Sequence, residues 1–422
     1  MRFLFRPPAA AAAGLLALPW ARPLADWPGD LVLDVPQRGV SRHVVRFVAA
    51  DHAGDTAAGG RSAYALKEMP EELARREYAL LTGFAEEGLP AVEVLGVCVD
   101  RGEGLPAVLV TRYLDWSVSS RYLFSSGRVA LGSPSVAQLL EAVAALLVRL
   151  HLAGVVWGDC SLSNTLFRAD AGRPAAHLVD AETAERHPVL TAEQRRADVA
   201  LAVERVAAEL ADLAARGLLP AGVDPVTTAE GLRVAHDALW AEVTRDEPLA
   251  PEDPRRQVEQ RVRQLGDLGF DAGEVELVTG PGGSRLRVRT RVSGPDRHRR
   301  ELARLTGLEV GENQARRLLH DLHRHRAELE RRAGVPVPEE VAGQRWLAEV
   351  WAPVVAATPP ELAGRLAPAE LFHEVLEHRW FLSEQAGGDV GTAAAARSYV
   401  RTVLPRTPEV SGRAAVLART AP

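Results

Sequence analysis

Short apolar runs separated by turn-forming residues open the readable part of the chain, at residues 31–35, 44–48 and 63–67. Runs of this length, rich in Val, Ala and aromatic residues and bounded by Gly, Pro and Asp, read as strands. The period then changes. Leu73, Leu80, Leu81 and Phe84 recur at helical spacing, with Glu77 on the same stripe, which predicts a helix over 70–84. Two further strands, 92–99 and 107–111, complete a five-stranded sheet carrying one helix. Residues 135–153 form a strongly apolar helix with Leu139, Val143, Leu146, Leu147 and Leu150 on one face. A loop at 155–167, a strand at 176–179 and a long helix at 192–213 follow.

A stretch rich in Gly, Pro and Thr at 217–230 reads as a linker. Helices are expected at 232–243 and 257–268, and then 274–279 and 285–292 alternate around Gly280, Pro281, Gly282 and Gly283 as a β-hairpin. Arg285, Arg287, Arg289 and Arg291 share one face of its second strand, and Arg316, Arg317, His320, His323 and Arg324 follow on a helix. A phosphate- or nucleic-acid-binding patch is one reading. A solvated face is preferred, because no aromatic residues interleave as stacking platforms. His373, Glu374 and His378 do not make a zinc-protease helix, since position 377 is Glu and the second histidine falls one residue late. Glu349, Trp351, Phe372, Leu376 and Trp380 read as packing helices with charged rims.

At 422 residues, 47% hydrophobic and 25% charged, the chain is long enough for two domains with separate cores. Its net charge of -6 argues against nonspecific nucleic-acid binding by the whole molecule. Two cysteines, Cys98 and Cys160, cannot build a disulfide framework, so a reducing cytoplasm is expected. The richness in Ala, Arg, Gly and Pro suggests a bacterial source. Arg2, Arg6 and the apolar run 9–18 imitate a secretory signal, but Pro7 and Pro8 break the junction and no clear cleavage site follows. That run is far short of a membrane span, and the longer apolar segment 136–157 contains Gln138, Glu141, Arg149 and His151, so none is expected.

The chemistry concentrates in the 155–167 loop, where Asp159 and Asn164 stand five positions apart between apolar clamps. A phosphotransferase loop supplies one carboxylate facing the acceptor hydroxyl and one amide oxygen for a metal ion, and these two residues fit those roles. Lys67 closes a strand as a phosphate-binding lysine does, and Glu77, an acid on an apolar stripe, is its natural partner ahead of Glu71 or Glu72. Asp180 ends a strand shortly after Asn164, as a second metal-binding carboxylate would. The turn at 36–42 has only Gly39, with Ser41 as a further donor over the phosphates. Asp198 begins the long helix, either anchoring the loop backbone or simply favouring the helix's positive end. His151 reads as a satisfied core histidine.

Lys67, Glu77, Asp159, Asn164 and Asp180, in that order, resemble the protein-kinase-like superfamily near its lipopolysaccharide-kinase branch. The stretches 157–167 and 178–183, together with 312–317 and 372–381, are similar to an uncharacterised bacterial family joining such a domain to a carboxy-terminal domain of unknown function. The resemblance implies an α+β fold: a bilobal kinase-like domain, with a five-stranded antiparallel N-lobe and helical C-lobe, and then a mostly helical domain with a β-hairpin. The boundaries expected are an extension at 1–27, the kinase-like domain at 28–228, the α-rich domain at 229–402 and a tail at 403–422. It implies ATP and Mg as cofactors. Asp159 is then the catalytic carboxylate, Asn164 and Asp180 the metal ligands, Lys67 with Glu77, Gly39 and Ser41 the nucleotide site, and Asp198 structural support. The family pattern is departed from at Gly158, in place of an arginine, at Ser161, in place of a lysine, and at Ala181 and Glu182 after Asp180. The few residues between Asp180 and the next helix exclude a peptide-substrate platform, leaving a small-molecule or glycan-type acceptor. An inactive nucleotide-binding scaffold and a nucleic-acid module centred on the arginine hairpin are the alternatives.

Overall fold

The five-stranded sheet is present, but one of its strands comes from an unexpected place. The computed structural model describes residues 1–5, 9–35, 42–51, 61–102, 104–125, 135–219, 221–248, 253–268, 270–280, 283–291 and 297–407. Strand β1 (Arg2–Phe5) is followed by helix α1 (Ala9–Leu16), then β2 (Val44–Asp51), β3 (Arg61–Met69), helix α2 (Glu71–Glu86), β4 (Val94–Val99) and β5 (Ala107–Arg112). All neighbours pair antiparallel in the order β1-β4-β5-β3-β2. The run at 31–35, expected as the first strand, makes only an isolated bridge from Val32 to Val48. The sheet's fifth strand is instead β1, whose Phe3 opposes Cys98 and whose Leu4 opposes Val97.

Both faces of this sheet are covered, so its central strands carry apolar side chains on either side. Val108 and Val110 pack with Ala11, Leu15, Trp20, Leu24 and Trp27 on one face; Ala107 and Leu109 pack with α2 residues Ala74, Leu81 and Phe84 on the other. The apolar stretch that imitates a signal sequence is therefore a packed layer of the fold. Buried Arg101 fastens this layer: it pairs with Glu68 at 2.7 Å and donates to the carbonyl oxygen of Trp20 at 2.8 Å.

Strand β6 (Ser117–Ser119) and helix α3 (Ser120–Ser125) lead to α4 (Val136–Leu152), which starts with a reciprocal cap between Ser135 and Gln138. Strand β7 (Val155–Val156) opens the loop, and β8 (Thr165–Asp170) and β9 (Arg173–Leu178) form a hairpin with β6 on its other edge. After β10 (Glu185–Arg186), which pairs with β7, helix α5 (Ala192–Ala215) is capped by Thr191 and Gln194. The expected linker is short. Asp224 caps helix α6 (Pro225–Val243), whose Ala229 and Leu232 join the same core as Leu147 and Val203, so this helix packs with α4 and α5.

Strand β11 (Glu247–Pro248) and helix α7 (Pro254–Asp267) precede the arginine hairpin, β12 (Asp271–Gly280) and β13 (Gly283–Arg291), paired from Asp271↔Arg291 to Gly280↔Gly283 with a register shift between Ala272 and Val275. The side chains of Arg285, Arg287, Arg289 and Arg291 lie outside the described residues. Helices α8 (Arg297–Thr306), α9 (Glu312–Ala333), α10 (Glu339–Trp346), α11 (Ala352–Ala356), α12 (Pro368–Ala386) and α13 (Thr392–Thr402) build a second core around Leu318, Leu322, Trp346, Phe372, Val375 and Tyr399. Trp346 satisfies its buried N–H on Asp321 at 2.9 Å. Among the described residues no helix is long and apolar enough to cross a membrane.

Candidate active site

Strand alternation decides where Lys67 points. Tyr64 and Leu66 face the N-terminal layer, so Lys67 is carried to the side on which α2 lies. Helix α2 presents Ala74, Glu77, Leu81 and Phe84 as its buried stripe, and Glu77 is only 1% exposed. Lys67 Nζ donates to Glu77 Oε2 at 3.0 Å, and the other Glu77 oxygen accepts from the amide of Ala181 at 3.2 Å. Glu71 is spent elsewhere, on Arg75 at 2.7 Å along the exposed helix surface. Burial pushes the Glu77 carboxyl up to about 7, with Lys67 pulling against it. For Lys67, burial pulls down, but the carboxylates of Glu77 and Asp180 outweigh it and hold the ammonium above its ordinary value.

Asp180 completes this junction. Its Oδ2 accepts from Lys67 Nζ at 2.8 Å, its Oδ1 from the amide of Glu182 at 3.0 Å, and its backbone oxygen from the indole N–H of Trp157 at 2.9 Å. Glu182 Oε2 lies 3.4 Å from Lys67 Nζ and 2.9 Å from His43 Nε2, just ahead of β2. His43 thus reaches across the cleft between the lobes. No spacing in the sequence links it to Glu182.

The loop itself rests on one face of α5. Residues seven and eleven positions apart on a helix return to the same side, and Asp198, Arg205 and Glu209 each hold a different part of the loop. Asp198, 4% exposed, accepts from the amides of Trp157 at 3.0 Å and Gly158 at 2.8 Å and from His151 Nε2 at 3.0 Å. Burial alone would raise its carboxyl, but His151 and the two amides hold it below the ordinary carboxylate range. Glu209 accepts from the amides of Leu162 at 2.6 Å and Ser163 at 3.1 Å. Gly158 sits at φ +73°, with Thr183 O 3.2 Å from where a Cβ would stand, so an arginine side chain does not fit this backbone without strain.

Asp159 is held from two sides. Asn164 Nδ2 donates to its Oδ2 and to its backbone oxygen, each at 3.1 Å, and Arg205 Nη1 lies 2.9 Å from Oδ1. Arg42 Nη2 stands 3.9 Å from Oδ2. Ser161, in the position of a catalytic-loop lysine, uses its hydroxyl to accept from the amide of Asn164 at 3.1 Å. The guanidinium of Arg205 is therefore the strong cationic neighbour of Asp159. Sequence reading missed Arg205 and Glu209, although their helical phase with Asp198 was there to be used.

The donor set suits a hard divalent cation. Asn164 spends its amide nitrogen on Asp159, so its side-chain oxygen is the atom it offers. Asp180 is partly exposed to the cleft, and the amide of Val179 donates to Asn164 O at 3.1 Å, which brings the two ends of the hairpin together. Carboxylate oxygens of Glu77, Asp180 and Glu182 gather within 4.8 Å of one another. Glu77 is buried, while Asp180 and Glu182 are partly exposed, so these two stand on the open side. Gly39 and Ser41 lie outside the described residues.

A sheet lobe over a helical lobe, with a lysine, two acids and an anchored loop at their junction, defines the kinase-like class. Residues 52–251 match the model of the lipopolysaccharide kinase (Kdo/WaaP) family, and residues 238–404 match a domain of unknown function (DUF4032). The chain thus joins a lipopolysaccharide-kinase-family region to that carboxy-terminal domain. No curated protein matches the chain. A solved structure described as WaaP in complex with acyl carrier protein is similar at a TM-score of 0.35 and 17% identity, over 64% of this chain and 99% of that one.

Proposed function

We propose that the chain is an ATP- and magnesium-dependent phosphotransferase acting on a non-peptide hydroxyl, in the bacterial cytoplasm. The observation that carries this reading is the meeting of Glu77 and Asp180 on Lys67, at 3.0 and 2.8 Å, beside a loop whose Asp159 is separately anchored. A bound magnesium ion would neutralise phosphate charge, with Asn164 and Asp180 as its protein ligands. Lys67, oriented by Glu77, would meet the nucleotide phosphates. Asp159, steadied by Asn164 and Arg205, would orient the acceptor hydroxyl and take its proton.

The segment after Asp180 supports a non-peptide acceptor. Only residues 181–191 separate Asp180 from α5, and part of this stretch is used in pairing β10 with β7. The buried free thiols of Cys98 and Cys160 accord with a reducing compartment.

Asp159→Asn tests the assignment. Turnover is expected to be lost while magnesium-dependent ATP binding stays within about twofold of wild type. Unchanged turnover would remove Asp159 from the role. A wild-type chain that binds ATP with magnesium but transfers phosphate to no member of a sugar, lipid-headgroup and metabolite panel would instead be a nucleotide-binding scaffold.

A further inference from the structure

The hairpin of β8 and β9 has the proposed metal ligands at one end and the carboxy-terminal domain at the other. Asn164 directly precedes β8, and Asp180 follows β9 by two residues. Six pairs, from Thr165↔Leu178 to Asp170↔Arg173, make a rigid ladder about 20 Å long. At its tip Ala171 and Gly172 both adopt positive φ, +56° and +78°, the conformation of a tight two-residue hairpin turn.

That tip is gripped by buried polar groups of α9 and α12. Glu370, 3% exposed, accepts from the amides of Ala171 at 3.0 Å and Gly172 at 2.6 Å. Asp170 accepts from the amides of Gln314 at 2.9 Å and Asn313 at 3.3 Å, and from Asn313 Nδ2 at 3.1 Å. These amides are free donors of the first turn of α9, whose cap position is Gly311. Gly311 has no side chain to cap them, and an added Cβ would overlap Asp170, so the hairpin supplies the capping carboxylate from another domain. Gln314 joins the two acids: its backbone amide donates to Asp170, and its Nε2 donates to Glu370 at 2.8 Å and to Ala169 O at 3.1 Å.

The donor atoms of Glu370, His373 and Glu374 lie close enough for a metal, within 4.8 Å. However, both Glu370 oxygens already accept N–H groups and His373 Nδ1 faces Arg317 Nη1 at 3.1 Å, so the cluster is a hydrogen-bonded clamp.

We infer that the carboxy-terminal domain is a positioning module for the catalytic hairpin, with Glu370 and Asp170 as positioning residues that set the placement of Asn164 and Asp180. The inference rests on the phosphotransferase reading of those two ligands. A charge-assisted hydrogen bond to a buried acid is stronger than a neutral one, and an amide in place of Glu370 turns an acceptor into a donor against the tip N–H groups. The ladder links the tip to its root, and the pairing of β8 with β6 stops at Arg168, so the tip end of the hairpin takes its placement from the clamp.

The test uses the full chain carrying Glu370→Gln or, as a milder isosteric change, Asp170→Asn, each checked for native circular dichroism. Amide hydrogen exchange is followed across residues 164–180, and binding of a non-hydrolysable ATP analogue is measured with and without magnesium. The expected result is exchange about tenfold faster at both the tip and the root, with magnesium-dependent binding weakened several-fold and metal-free binding unchanged. Faster exchange confined to the tip, with the root and binding unaltered in both variants, would overturn the inference and leave the clamp as domain glue. If the wild type binds no nucleotide, the phosphotransferase reading fails, while exchange at the root still decides whether the clamp positions the hairpin.

Discussion

Arg205 Nη1 lies 2.9 Å from Asp159 Oδ1, across the gap between the middle of α5 and the loop above it. A fixed cation beside the carboxylate favours its ionised form and limits its rotation. Arg205→Ala is expected to lower kcat by about ten- to a hundredfold with the KM for ATP little changed, and Arg205→Lys to recover part of the loss. Steady-state kinetics of the two variants check this. Equal kcat in all three proteins would show that Asn164 alone orients Asp159.

Glu77 gives a pH dependence of definite sign. Its folded value, about 7, lies above the ordinary 4.5, so the folded chain holds the extra proton between those values. The stability from this group is full below about 4.5 and is lost as pH rises through 7. Glu77→Gln removes that slope. Urea unfolding midpoints at pH 5 and pH 8 are expected to fall more for wild type than for the variant over this interval.

His177 acts in the opposite direction. Burial, reinforced by the positive charge of Arg168, pushes its imidazole down to about 3. The unfolded chain then takes up the proton first as pH falls below 6.5, so stability is full above 6.5 and is lost towards 3. His177→Leu is expected to flatten the acid limb of the stability curve, measured by chemical denaturation at each pH.

Neither cysteine should behave as a reactive thiol. Burial raises Cys160 well above the ordinary thiol value, helped by Asp198, Glu209 and Asp159, and burial raises Cys98 to about 11. Iodoacetamide at pH 8 is expected to leave both unlabelled in the folded chain and to label both in urea, as read by intact mass. Rapid labelling of Cys160 in buffer would show that the loop opens on that timescale.

Local periodicity was enough to read four strands of the sheet and helices α2, α4 and α5, and short spacings linked Lys67 with Glu77 and Asp159 with Asn164; the order of these residues and Asp180 along the chain did the rest. Three features lay beyond such signals. Strand β1 pairs with residues more than ninety positions later, while the run at 31–35, read as the first strand, makes only an isolated bridge. His43 meets Glu182 only through the closure of two lobes. Arg205 and Glu209 read as ordinary solvated charges of α5 until the loop is laid across them. The clamp at Glu370 is of the same kind: its acid and the turn it grips are 199 positions apart.

The strand from Arg2 to Phe5 also bears on synthesis. Its partner, Val94–Val99, is made much later, and at elongation rates of about 5 to 20 residues per second the wait is roughly 5 to 20 s. During that interval the Phe3 and Leu4 side chains have no sheet to cover them. Once β4 emerges, β1 pairs along it and becomes the sheet's edge, and its four residues offer another chain a shorter template than the six of β4. The same four residues are thus a hazard on the nascent chain and a guard against self-association in the finished one.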